Sequence, residues 1–131
     1  MRRFLSLFVA LLLICCLAAG CQPKSLSNGS YLVDVSLSGG SGRASVSSPA
    51  RLTVDGDKMT ARVVWSSSHY EYMIVDEVKY LPLEGEETST FDIPIVLDKD
   101  MEVSASTTAM GQPHLIDYTL HFDGSSAKEE K

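Results

Sequence analysis

Apolar and polar residues alternate one for one along most of this chain, and a period of two commits a segment to extended strands, because successive strand side chains point to opposite faces. Tyr31, Val33, Val35 and Leu37 alternate with Leu32, Asp34 and Ser36, and Met59, Ala61, Val63 and Trp65 alternate with Thr60, Arg62 and Val64. The same reading predicts strands at Ala50 to Asp55, His69 to Asp76, Val78 to Leu81, Thr90 to Val96, Met101 to Thr107 and Leu115 to Phe122. Clusters of Gly, Pro, Ser and Asp separate them, with Asp55-Gly56-Asp57 as a hairpin turn. Beyond the N-terminal region no window repeats apolar residues at helical spacing, so helix is expected only as a turn or so, at Ser41 to Ser48. Roughly seven to nine short strands in about a hundred residues predict an all-β chain folded as an immunoglobulin-like antiparallel β-sandwich.

The alternation also names the core. Ile116, Tyr118, Leu120 and Phe122 share one face against Asp117, Thr119 and His121, and Phe91, Ile93 and Ile95 point inward against Asp92 and Pro94. Met59 and Met101 keep the apolar side of their strands and read as core, whereas His69 and His121 face solvent. Tyr70, Tyr72, Tyr80 and Tyr118 read by default as core with a phenol at the rim. The segment from His69 is less regular. Strict alternation places Tyr70, Tyr72 and Ile74 on one face and leaves Met73 and Val75 on the other, beside His69 and Glu71.

The N-terminus carries an address. Arg2 and Arg3 precede a nearly unbroken apolar run from Phe4 to Leu17, too short to be read as a permanent span, and small residues then lead into Cys21. Leu17-Ala18-Ala19-Gly20-Cys21 resembles a lipobox, so residues 1–20 are expected to be a lipoprotein signal peptide and Cys21 the lipidated residue of an extracytoplasmic, membrane-anchored protein. Cleavage there discards Cys15 and Cys16 and converts Cys21 to a thioether, which excludes disulfides and thiolate chemistry in the mature chain. Residues 21–30 read as a polar linker, 31–123 as the β-sandwich domain and 124–131 as a polar tail. Without Arg2 and Arg3 the chain keeps 9 basic against 17 acidic residues, a net of −8. That balance excludes nucleic-acid binding and leaves acyl chains as the only hold on the membrane.

Two further groups of residues carry a resemblance. The run Asn28-Gly29-Ser30-Tyr31-Leu32-Val33-Asp34-Val35, then Ser48-Pro49-Ala50-Arg51-Leu52-Thr53-Val54 and Asp55-Gly56-Asp57-Lys58-Met59-Thr60-Ala61, forms the first. Val63-Val64-Trp65-Ser66-Ser67-Ser68 with Tyr72-Met73-Ile74-Val75, followed by Met101-Glu102-Val103-Ser104-Ala105 and Ile116-Asp117-Tyr118-Thr119-Leu120-His121-Phe122-Asp123, forms the second. In strand pattern and turn placement the chain resembles a NEAT domain, the haem-binding immunoglobulin-like module of Gram-positive cell surfaces.

The resemblance implies an apolar slot for haem between a short helical lip after the first strand and the closing hairpin. A Tyr-x-x-x-Tyr motif in that hairpin supplies the iron ligand and its phenol partner in the family. This chain has Met110-Gly111-Gln112-Pro113-His114 at that place, with the same spacing but a thioether and an imidazole. Both are haem-ligand types. Met110 and His114 are therefore the expected ligands, with Met73 as a third, and Trp65, Tyr70 and Tyr72 as walls of the slot. Neutral donors suit reversible holding and transfer. A Met at a strand end is equally a core gap filler, and His114 beside Pro113 equally an exposed turn residue.

Motifs of catalysis are missing: no Gly-x-Ser-x-Gly, no Walker loop, no His-Glu-x-x-His. The expected function is capture of haem or another iron chelate and its relay to an uptake system, a membrane transporter or its binding protein. The alternative is a cofactor-free immunoglobulin-like module docking on such a partner, and a copper site using Met and His stands third.

Overall fold

The computed structural model describes residues 26–130, which form eight antiparallel strands and, among the described residues, no helix. They are β1 (Gly29–Gly39), β2 (Ala50–Asp55), β3 (Lys58–Val64), β4 (Tyr70–Val75), β5 (Val78–Tyr80), β6 (Thr90–Pro94), β7 (Asp100–Thr107) and β8 (His114–Glu129). The expected strands are thus present. The signal peptide and Cys21 lie outside the described residues.

Hydrogen bonding links the strands in the order β5-β4-β7-β8-β1-β2-β3-β6, and the sheet doubles over so that its two ends meet. The fold line lies in β1: Gly29 to Val33 pair with β2, while Tyr31, Leu32 and Asp34 to Gly39 pair with β8, with a register irregularity between Leu32 and Asp34. Ser89 fastens the closing seam. Its hydroxyl accepts the Tyr70 N–H at 3.0 Å and donates to the Tyr70 carbonyl at 3.0 Å, while its N–H donates to the Ser67 carbonyl at 3.0 Å. An all-β, immunoglobulin-like sandwich follows, close to a closed barrel.

The inward residues of both layers make one core. Val33, Ala61, Val63, Phe91, Ile93, Leu120 and Phe122 are all buried, as alternation predicted, and Leu52 of β2 joins them. Trp65 is 1% exposed at one end of this core, stacked on Tyr70 at 4.1 Å and edge-on to Tyr118 at 5.1 Å. Aromatic pairs in such geometry add to the area they remove from water.

Three expectations are corrected. The turn of helix at Ser41 to Ser48 is absent, because Gly39, Gly40 and Gly42 hold φ at 105°, 63° and 81°, outside the right-handed helical region, and Val46 then bridges to Trp65 as extended chain. The tail at 124–131 is not a free end: β8 runs to Glu129, where Glu129 and Lys128 pair with Tyr31 and Leu32 and Ala127 packs on the core. The linker gives way to strand already at Gly29. Polar composition concealed both segments, since their pairing uses backbone groups that every residue carries.

Candidate functional site

The β7–β8 hairpin ends in a turn that brings Met110 and His114 to one pole of the molecule. Gly111, at φ 84°, donates its N–H to the Thr108 carbonyl at 2.9 Å and closes the turn. Thr108 in turn donates to the His69 carbonyl, from its N–H at 2.9 Å and its hydroxyl at 3.3 Å, so the hairpin tip is fastened to the segment entering β4. Met110 is 82% exposed on this tip, and His114 is exposed at the first position of β8. Neither side chain has a hydrogen-bond partner among the described residues.

Register decides which way they face. Thr107 pairs with His114 and the ladder runs without a shift to Asp100 opposite His121. His114, Ile116 and Tyr118 therefore lie on one side of β8, the side that becomes core at Tyr118. His114 stands at the rim of the core face, with Ile116 and then Tyr118 below it. Tyr118 is four residues on, the Tyr-x-x-x-Tyr spacing, but here both positions lie within a strand, whereas Met110 and His114 straddle a turn. Alternation placed Tyr118 in the core and missed that it also lies beneath His114 on the same side of β8; the spacing from His114 was the available signal.

Beneath the rim lies a polar pair within an apolar cluster. The hydroxyls of Tyr70 and Tyr118 meet at 2.9 Å, both rings being buried. Burial pushes the Tyr70 phenol well above its usual range, and the hydrogen bond with Tyr118 adds to the shift. The Tyr70 ring lies against the indole of Trp65, with the Tyr118 ring edge-on to it.

The other predicted site residues are dispersed by one irregularity. A bulge between Tyr70 and Tyr72 advances the register of β4 against β7, so Tyr70 and Met73 both face inward and Tyr72 faces out. The apolar Met on a polar face is thereby explained: Met73 is fully buried, and its Sδ accepts the Trp65 indole N–H at 3.4 Å. Such burial removes Met73 from any ligand set shared with the exposed Met110. Tyr72 is likewise no wall of a slot beside Tyr70; it lies on the outer face with the Lys79 ammonium 4.1 Å from its ring centroid. Trp65 and Tyr70 remain at the right pole, as buried packing behind the mouth. His69 is exposed as expected, and His121 is part-exposed with Nδ1 2.9 Å from the Asp100 carboxylate.

The β1–β2 segment forms the facing lip. Gly39 pairs with Tyr118, and the chain then turns so that Gly40 sits directly on the Tyr118 ring: a Cβ at Gly40 would lie 2.8 Å from Tyr118 Cε1 and 3.3 Å from Ile116 Cγ2. Lip, hairpin and aromatic floor thus converge on one pole.

Comparison with solved structures finds the same arrangement of strands in a point mutant of IsdX2-NEAT5 in complex with heme, with a TM-score of 0.59 over 75% of this chain and 97% of that one. The fold is that of a NEAT domain. Identity over the NEAT match is 17%, so the likeness is one of architecture. No protein-family profile matches the chain, and no curated protein matches it.

Proposed function

We propose that this domain binds haem or another iron chelate at the pole formed by the β7–β8 hairpin and the β1–β2 lip. On this reading it is anchored outside the cytoplasm through a lipid on Cys21 and relays its ligand to an uptake system. The observation that carries the reading is the register placing His114, Ile116 and Tyr118 on one side of β8 at the mouth of a NEAT fold. The donor set fits the ligand. An exposed imidazole stands at the rim, Ile116 offers an apolar surface for a flat macrocycle, and the Tyr70 and Tyr118 phenols lie beneath. Met110, exposed at the tip, supplies a thioether as second ligand. Both donors are uncharged, and the absence of a tyrosinate at the rim favours release over storage.

Each residue then has a task. His114 holds the iron from the hairpin, Met110 completes or exchanges the ligation, and Trp65, Tyr70 and Tyr118 keep water from the inner edge. The test is a hemin titration of the purified domain followed through the Soret band: a shifted, saturable band at one equivalent supports the reading. An unaltered spectrum favours a cofactor-free docking module, a second reading favoured by the exposed apolar side chains of Met110 and Leu115 on the tip, 82% and 54% exposed. A band that appears with copper and not with hemin places a thioether-imidazole copper site there instead.

A further inference from the structure

Strands β3 and β7 begin, at Lys58 and Asp100, at the end of the sandwich away from Trp65 and Thr107, and there a cavity of about 640 Å3 opens between Leu26, Val54, Met59, Val96 and Leu97. Val96 is 45% exposed, although the loop that carries it is firmly held. Ile95 donates its N–H to the Met59 carbonyl at 3.0 Å, and Val96 donates to the Met101 sulfur at 3.4 Å. Asp98 donates its N–H to the Phe122 carbonyl and accepts the Gly124 N–H, both at 2.8 Å. A fixed loop thus presents apolar side chains to the outside. Exposed Lys58 and Lys99 balance exposed Asp57 and Asp98 on this pole, in a chain of net charge −6.

The same pole receives the chain from Cys21. Asn28 Oδ1 accepts the Gly56 N–H at 2.8 Å, and the Ser27 carbonyl accepts the Tyr31 hydroxyl at 2.7 Å, so the entering segment is fastened beside the cavity that Leu26 helps to line. Cys21 stands five residues before Leu26, a reach of at most about 18 Å. Strand β7, eight residues long, spans about 25 Å from this pole to the hairpin.

We infer that this pole is a membrane-docking surface: Val96 and Leu97 enter the headgroup region of the bilayer that holds the lipid on Cys21. The inference rests on the lipid-anchor reading and adds an orientation to it. A tether shorter than the domain keeps this pole beside the bilayer, where entry of Val96 and Leu97 removes apolar surface from water. The N–H groups of Ile95, Val96 and Asp98 already have partners, so entry leaves none of them unpaired. The rim at His114 then faces away from the membrane, and ligand enters and leaves on the outward side.

The test uses the full mature chain, lipidated in a bacterial host and reconstituted in phosphatidylcholine vesicles. An environment-sensitive nitrobenzoxadiazole label is placed on Val96→Cys, and on Ser41→Cys at the opposite pole as reference. Docking shifts the emission of the Val96→Cys label to the blue and makes its quenching by doxyl-labelled lipid at least about threefold stronger than at Ser41→Cys. Lys99→Cys, in the same loop, gives the same result where Val96→Cys does not fold. Equal quenching at the two poles, in a chain whose N-terminal peptide carries the mass of the lipid, overturns the docking and leaves the anchor. A peptide without that mass removes the anchor and the docking with it.

Discussion

The indole N–H of Trp65 points at the sulfur of Met73, 3.4 Å away, in the interior of the sandwich. One contact settles two assignments. It gives a buried donor its partner, and it holds inside the core a thioether that the sequence offered as an iron ligand.

Met73→Leu keeps the volume but leaves the Trp65 N–H without an acceptor. The expected loss of stability is about 1–3 kcal/mol, read from the midpoint of urea unfolding. Hemin binding should be unaltered, and a lost Soret shift in a folded Met73→Leu domain would return Met73 to the ligand set.

His114→Ala should weaken hemin binding about tenfold or more, a change of about 1.4 kcal/mol, and move the Soret maximum. Met110→Ala should have the smaller effect on affinity, because a side chain on an exposed turn loses more freedom when it ligates. Equal spectra for the wild type and both variants would exclude this pole as the site.

Deleting residues 124–131 tests the extended β8. Glu130 donates its N–H to the Ser30 carbonyl at 2.8 Å, its carboxylate takes both ends of the Arg51 fork, and Ser126 Oγ accepts the Asp34 N–H at 2.7 Å. With ladder bonds at about 0.5–1.5 kcal/mol each and little from the exposed ion pair, the truncation should cost about 2–4 kcal/mol. A chemical-denaturation curve that coincides with that of the full chain would show the segment to be the free tail its composition resembles.

Alkaline pH should expose the Tyr70 phenol pair through stability. Tyr70 is held protonated in the folded chain well above its usual range, while the unfolded chain releases the same proton near pH 10. The native state then binds more protons, so stability contributed by this group is intact below about pH 10 and falls as pH rises above it. Tyr70→Phe should flatten that decline in a series of urea curves from pH 9 to about 11. An equal decline in both proteins would mean that other groups cause it.

Several parts of this molecule were legible in its sequence. The inward sets Tyr31 and Val33, Phe91 and Ile93, and Tyr118, Leu120 and Phe122 were read from alternation and are buried. At β4 the same rule failed, because the bulge before Tyr72 is set by pairing with Ser106 and Thr107, and one inserted position inverts every later side chain. The candidate ligands Met110 and His114 were named from the family resemblance, which did not tell that His114 shares the core face with Tyr118 while Met110 sits on the turn.

Strand content, core composition and the acidic charge follow from the order of residues alone, since the side on which a strand residue projects is a local property of extended backbone. The folding of β1 against two partners, the burial of Met73, the pairing of a polar C-terminal segment and the seating of Gly40 on Tyr118 were decided only in three dimensions. Each depends on contact between segments remote in the chain, and such contacts are selected by shape and hydrogen-bond satisfaction across the whole sandwich.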